Sequence, residues 1–122
     1  MDIDLPEVKE AFGRDEAALG ANDVPVLEAL CHDDPRTIRD GIVENLYGMD
    51  AIRAFRRARS PVALNRRIDR TVITIYGRDL VTASTLFHRE SLPGKTGRQM
   101  QTWVRLPEGW RIVAAHVSVI DG

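Results

Sequence analysis

With 122 residues, a net charge of -1, 43% hydrophobic and 29% charged residues, the chain fits one domain of ordinary globular composition, spanning 1–122. Its 17 basic residues are spread along the sequence, which argues against a nucleic-acid partner, and no apolar run nears the roughly 20 residues of a bilayer span. The opening residues lack the basic-then-apolar order of a secretion signal and Cys31 is the lone cysteine, so a soluble protein of the reducing cytoplasm is expected.

In chain order, Pro6 suits the first turn of a helix, and Val8, Ala11, Phe12, Asp15, Ala18 and Leu19 recur at helical spacing. Asp23 caps a second helix, with Pro25 near its first turn and Leu27, Leu30 and Cys31 on one face. Pro35 pushes Asp34 out of the helical region, and residues 36–40, "RTIRD", read as short and extended. Residues 48–59, "GMDAIRAFRRAR", predict a third helix with Ile52 and Phe55 inward and the arginines outside. From Arg66 the period changes to two. Strands are expected over 66–77, 80–91, 98–106 and 110–120, parted by a tight turn at Gly77, a longer loop "LPGKTG" and the turn "PEG". Helices first and an antiparallel meander afterwards give an α+β class, with the helices on one face of the sheet. A twisted sheet curling round helices makes a cone, with a pocket between helices and concave face.

Asp15 is the sharpest anomaly, because it falls on the apolar stripe of the first helix. An unpaired buried carboxylate is costly, so Asp15 either reaches solvent through a small rotation or faces a cavity. Asp40 has two readings as well: a turn residue before Gly41, or a pocket carboxylate if Ile38 faces the core. On that alternation Arg39 points away, unless a bulge at Gly41 brings both in. Two carboxylates in one dry cavity would raise at least one pKa and make a general base or a neutral donor. Cys31 and His32 are neighbours on a helix and cannot readily meet as nucleophile and base, so Cys31 reads as a small core residue bordering the pocket. His88 and His116 lie on different strands without a third ligand; no metal and no cofactor are expected. "GKTG" lacks the spacing of a phosphate loop. Of the alternating pairs Met100/Thr102 and Gln101/Trp103, the first is expected to face the concavity. The expected ligand site is thus Asp15, Cys31, Asp40, Met100, Thr102, Val117 and Val119, with Asp15, Arg39 and Asp40 as catalytic candidates.

Taken together, "VENLYGMDAIRAFRRAR", "VITIYGRDLVTAST" and "TGRQMQTWVRLPEGWRIVAAHVSVI" resemble the AtzH-like proteins of the SnoaL-like, NTF2-like superfamily, which includes ketosteroid isomerase. The resemblance covers nearly the whole chain. It implies a cone-shaped, cystatin-like barrel, three N-terminal helices on a curved, mainly antiparallel sheet, and a homodimer through the outer sheet face. It also implies ureide or s-triazine nitrogen catabolism, in which one branch is a decarboxylating amidohydrolase acting on a small dicarboxylated urea. The departures fall together. Arg14-Asp15-Glu16 stands where the family has Arg-Tyr-Glu, and that tyrosine is tied to the activity along with the arginine matching Arg39. Cys31-His32 replaces Phe-Trp, Asp40-Gly41 replaces Tyr-Gly, and Met100 replaces a small residue. Asp40 also falls near the catalytic aspartate of the isomerase. Clustered in this way, the changes imply a repurposed pocket, natural or engineered, widened for a moderately apolar or cationic ligand. Three other roles stand beside it: a general base at Asp40, the amidohydrolase with Arg39 gripping a carboxylate, and an amidase accessory subunit.

Overall fold

The computed structural model describes residues 5–59 and 64–122. Helix α1 runs Leu5–Ala21 and α2 Val24–Leu30; after them come β1 (Ile38–Asp40), β2 (Asn45–Tyr47) and α3 (Met49–Ala58). Four long strands complete the order: β3 (Arg66–Tyr76), β4 (Leu80–Arg89), β5 (Lys95–Leu106) and β6 (Gly109–Asp121). They form one sheet in the order β2-β1-β6-β5-β4-β3, antiparallel throughout except where β1 lies parallel to β6. The expected α+β class, with three N-terminal helices on a curved sheet, is what the chain adopts. Strand β2 is an addition to the sequence reading, since three residues carry too little alternation to be seen.

Local chemistry sets the helix boundaries. The Asp23 side chain accepts from Val26 N and Pro25 fills the first turn, as its missing N–H permits. Cys31 then turns extended, and His32 N donates to the Ile112 carbonyl at 2.9 Å, tying the end of α2 to the sheet. Register shifts between Asp69 and Val72 in β3, and between Thr102 and Trp103 in β5, bend the sheet around the helices. Arg70, with φ of 49°, marks the first of these bulges.

Val81 and Ala83 of β4, Trp103 of β5 and Ile112 of β6 line the concave face against Val8, Phe12, Leu30, Met49 and Ile52. Trp103 and Ile52 are wholly buried. Truncating a side chain of this kind to alanine costs about 2–5 kcal/mol. At Gly97 a Cβ would stand about 2 Å from the Phe87 ring, so the glycine lets the ring lie flat on the backbone of the next strand.

Candidate functional site

The stripe that buries Val8, Phe12, Ala18 and Leu19 carries Asp15 inward with them, at 2% exposure. Gln101 Nε2 donates to Asp15 Oδ2 at 2.8 Å, and Trp103 Nε1 donates to Gln101 Oε1 at 2.9 Å. An indole nitrogen only donates, so Trp103 dictates which end of the Gln101 amide faces Asp15. Burial pushes the Asp15 carboxyl up from its ordinary range; the Gln101 bond and the charges of Arg56, Arg66 and Arg39 act against it. With Oδ2 taken by the amide, a proton on Asp15 belongs on Oδ1. Beside it is a small cell of about 20 Å³, lined among others by Asp15, Cys31, Arg39, Arg56, Gln99 and Gln101. That space suits one water molecule or one small ligand atom.

Toward solvent the same interior opens into a mouth of about 420 Å³. Arg39, Arg59, Arg66 and Arg89 line it, with Leu19, Phe55, Phe87 and Val117 as apolar wall, and Glu44 is the one acid among its described lining residues. Arg39, Leu19 and Val117 border both spaces, so these three residues form the wall that cell and mouth share. Burial lowers Arg39 to about 10, aided by the charges of Arg56 and Arg59 and opposed by Glu44. Arg66 is held firmly: Nη2 donates to Glu16 Oε1 at 2.9 Å and to Gln99 Oε1 at 3.2 Å, and the guanidinium lies 4.0 Å from the Phe87 ring centre. Burial pushes Glu16 up and Arg66 down, each opposed by the other's charge. Among the described residues, Arg56, Arg66 and Arg89 keep a buried Nε without a hydrogen-bond partner. Arg56 itself is only 6% exposed. Buried donors without acceptors are uncommon in folded proteins; of these, Arg66 and Arg89 line the mouth and Arg56 the cell, while the similarly unpartnered Trp110 Nε1 borders neither space.

The AtzH-like family model matches residues 1–122. The chain belongs to the AtzH-like family. Among solved structures it is similar to a protein of unknown function from Pectobacterium atrosepticum, 56% identical, covering 96% of this chain and 91% of that one, with a TM-score of 0.91. A cystatin-like fold protein from Burkholderia xenovorans is 47% identical over 96% of this chain and 92% of that one, TM-score 0.90. An NTF2-like superfamily protein from Salmonella enterica, 24% identical over 93% and 88% with a TM-score of 0.74, shares the fold alone. No curated protein matches the chain.

Within this AtzH-like frame the candidate residues divide. Asp15, Cys31, Arg39 and Val117 border the cavities. Burial raises the Cys31 thiol to about 11, which keeps it an unreactive wall residue. Asp40 is a correction. Parallel pairing sets Arg39 beside Ala115 of the concave face and Asp40 beside His116 of the outer face, with Asp40 Oδ2 3.8 Å from His116 Nδ1. Ile38 faces outward as well, so the premise that aimed Asp40 inward fails. Met100 and Thr102 are corrected too: wholly buried Trp103 anchors the concave face, Gln99 and Gln101 share that face, and Met100 stands outside at 51% exposure. Val119 shares the inner face with Val117, opposite Gly97, but borders neither cavity. The arginines of α3 were expected outside, yet Arg56 follows Ile52 by four residues and is buried with it. The space bordered by Cys31 and Asp15 is a one-water cell rather than a widened chamber.

Proposed function

We propose that this AtzH-like protein holds a small organic anion in the mouth of its cone, with a carboxylate or similar oxyanion gripped by Arg39. The observation that carries this is the gathering of Arg39, Arg59, Arg66 and Arg89 around one hollow with a single acid among its described walls. Guanidinium groups crowded in a low-dielectric space repel one another, and an anion relieves that repulsion while supplying the missing acceptors. The same charge argues against the cationic ligand that Asp15 and Asp40 suggested, because Asp40 faces outward and burial shifts Asp15 toward its neutral form. Titration calorimetry with acetate, malonate and a quaternary ammonium salt tests the reading. Carboxylates should bind, more weakly as salt rises; binding of the ammonium salt in their place would sink it.

A second reading, hydrolysis of a carboxylated amide or urea, is favoured by Asp15 and Arg39 bordering one cell. Arg39 would hold the carboxylate, a water molecule would add to the carbonyl carbon, and Asp15, protonated on Oδ1, would give its proton to the nitrogen as the C–N bond breaks and regain one from the added water. Ammonia release from a dicarboxylated urea, lost in Asp15→Asn, is the expected result. Binding without release would leave a ligand-carrying accessory role. No feature of the cavity calls on Asp40 as a base. We further propose pairing of two copies through the outer sheet face, where Val72, Tyr76, Leu80 and Met100 stand exposed; light scattering on Met100→Lys should then give a monomer.

A further inference from the structure

Glu44, the one acid among the described walls of the mouth, forms an unfinished ion pair. Its Oε2 stands 4.0 Å from Arg39 Nη1, beyond hydrogen-bond reach, although both side chains are withdrawn from solvent at 16% and 14% exposure. The same oxygen is buried without a hydrogen-bond partner. A carboxylate this near a guanidinium would ordinarily close on it in a two-pronged pair.

What holds Glu44 where it is lies in the turn joining β1 to β2. Gly41 N donates to the Glu44 carbonyl at 2.9 Å, closing the turn. The side chain then folds back over Gly41, where a Cβ would stand 2.0 Å from Oε2 and 2.3 Å from Oε1. Glycine at 41 thus leaves the carboxylate a seat on the backbone. The whole turn lines the mouth, with Ile42 and Val43 apolar at its rim and Val43 88% exposed.

We propose that Glu44 is an internal competitor: its carboxylate occupies the approach to Arg39 in the empty protein and must swing out before an external anion is bound. The proposal rests on the anion-binding reading and adds to it a residue that sets selectivity. An empty Arg39 faces the repulsion of Arg56 and Arg59, which a nearby negative charge moderates. Because Glu44 offers proximity without hydrogen bonds, a ligand that places two oxygens on the guanidinium fork outcompetes it. A spherical, weakly coordinating anion such as chloride does not. Glu44 therefore discriminates between anions by requiring a planar oxyanion to displace it.

Calorimetry on the full chain with acetate and with chloride tests this in wild type, Glu44→Gln, Gly41→Ala and Arg39→Met. Glu44→Gln should bind acetate at least tenfold more tightly than wild type and gain measurable chloride binding. Gly41→Ala, which unseats the carboxylate while keeping it, should move affinity in the same direction and carries the test if Glu44→Gln folds poorly. In the Arg39→Met background the gain from Glu44→Gln should vanish. Equal or weaker acetate binding by Glu44→Gln would mean that Glu44 merely orients Arg39; the competitor falls while the anion site stands. No acetate binding by wild type or by any variant would overturn both.

Discussion

The small cell and the wide mouth share a wall but follow opposite rules. Along the relay that ends at the cell every step is answered: Trp103 donates to Gln101, Gln101 donates to Asp15, and the carboxyl is shifted toward the form that needs no counter-charge, while Arg56 on the cell wall keeps its Nε unpartnered. In the mouth the arginines outnumber their acceptors, and Arg66 and Arg89 keep a buried nitrogen idle. A satisfied buried network fixes one structure, whereas an unsatisfied one waits for a partner. The contrast separates the residues that make the fold unique from those that give it something to bind.

The contrast is open to attack in four ways. Arg39→Met should reduce carboxylate affinity roughly a hundredfold or more, about 2.7 kcal/mol, with little change in melting temperature; calorimetry beside thermal melting separates the two. Trp103→Phe should do the reverse. It leaves Gln101 Oε1 buried and unpaired, costing about 1–3 kcal/mol in denaturant unfolding, while anion affinity changes far less.

Acidity offers the third. The Asp15 carboxyl is raised in the folded state, so its contribution to stability is fully present below the unfolded value and is lost as pH rises through the folded one. Unfolding free energy should therefore decline across that window, by at most about 1.4 kcal/mol per pH unit from this group. Asp15→Asn, which keeps an acceptor for Gln101 and a donor toward the cell, should flatten the slope. Smallest of all, Thr102→Ala on the outer face should alter stability by about half a kcal/mol or less.

How much of this was legible beforehand varies by residue. Asp15 was readable because α1, 17 residues long, repeats the period over more than four turns, and the apolar stripe has only one face on which to lie. Arg56 was equally readable: four residues beyond Ile52, it had to share that helix face, and only the habit of placing arginine outside hid it. Arg39 and Asp40 were not. A three-residue strand has too few alternations to choose a face, and the choice is made by parallel pairing with β6, some 75 residues away. For Met100/Thr102 against Gln101/Trp103 the alternation was clear, but its sign rested on whether the tryptophan or the methionine anchors the core. A pocket against the concave face was expected, with Arg39 and Val117 among its residues, but its arginine lining was not, since Arg39, Arg59, Arg66 and Arg89 come from four separate stretches that only the curved sheet brings together.

One consequence follows from the indole at the root of the relay. Since Trp103 Nε1 cannot accept, hydrogen bonding runs in one direction only, from the core toward the cell. A proton on Asp15 consequently has no exit along this relay, and its exchange is left to what enters the cell from the side of the mouth. Deuterium uptake at that carboxyl, followed through its infrared carbonyl band, becomes a clock for how often the doorway beside Arg39 stands ajar, and a bound anion should slow its ticking.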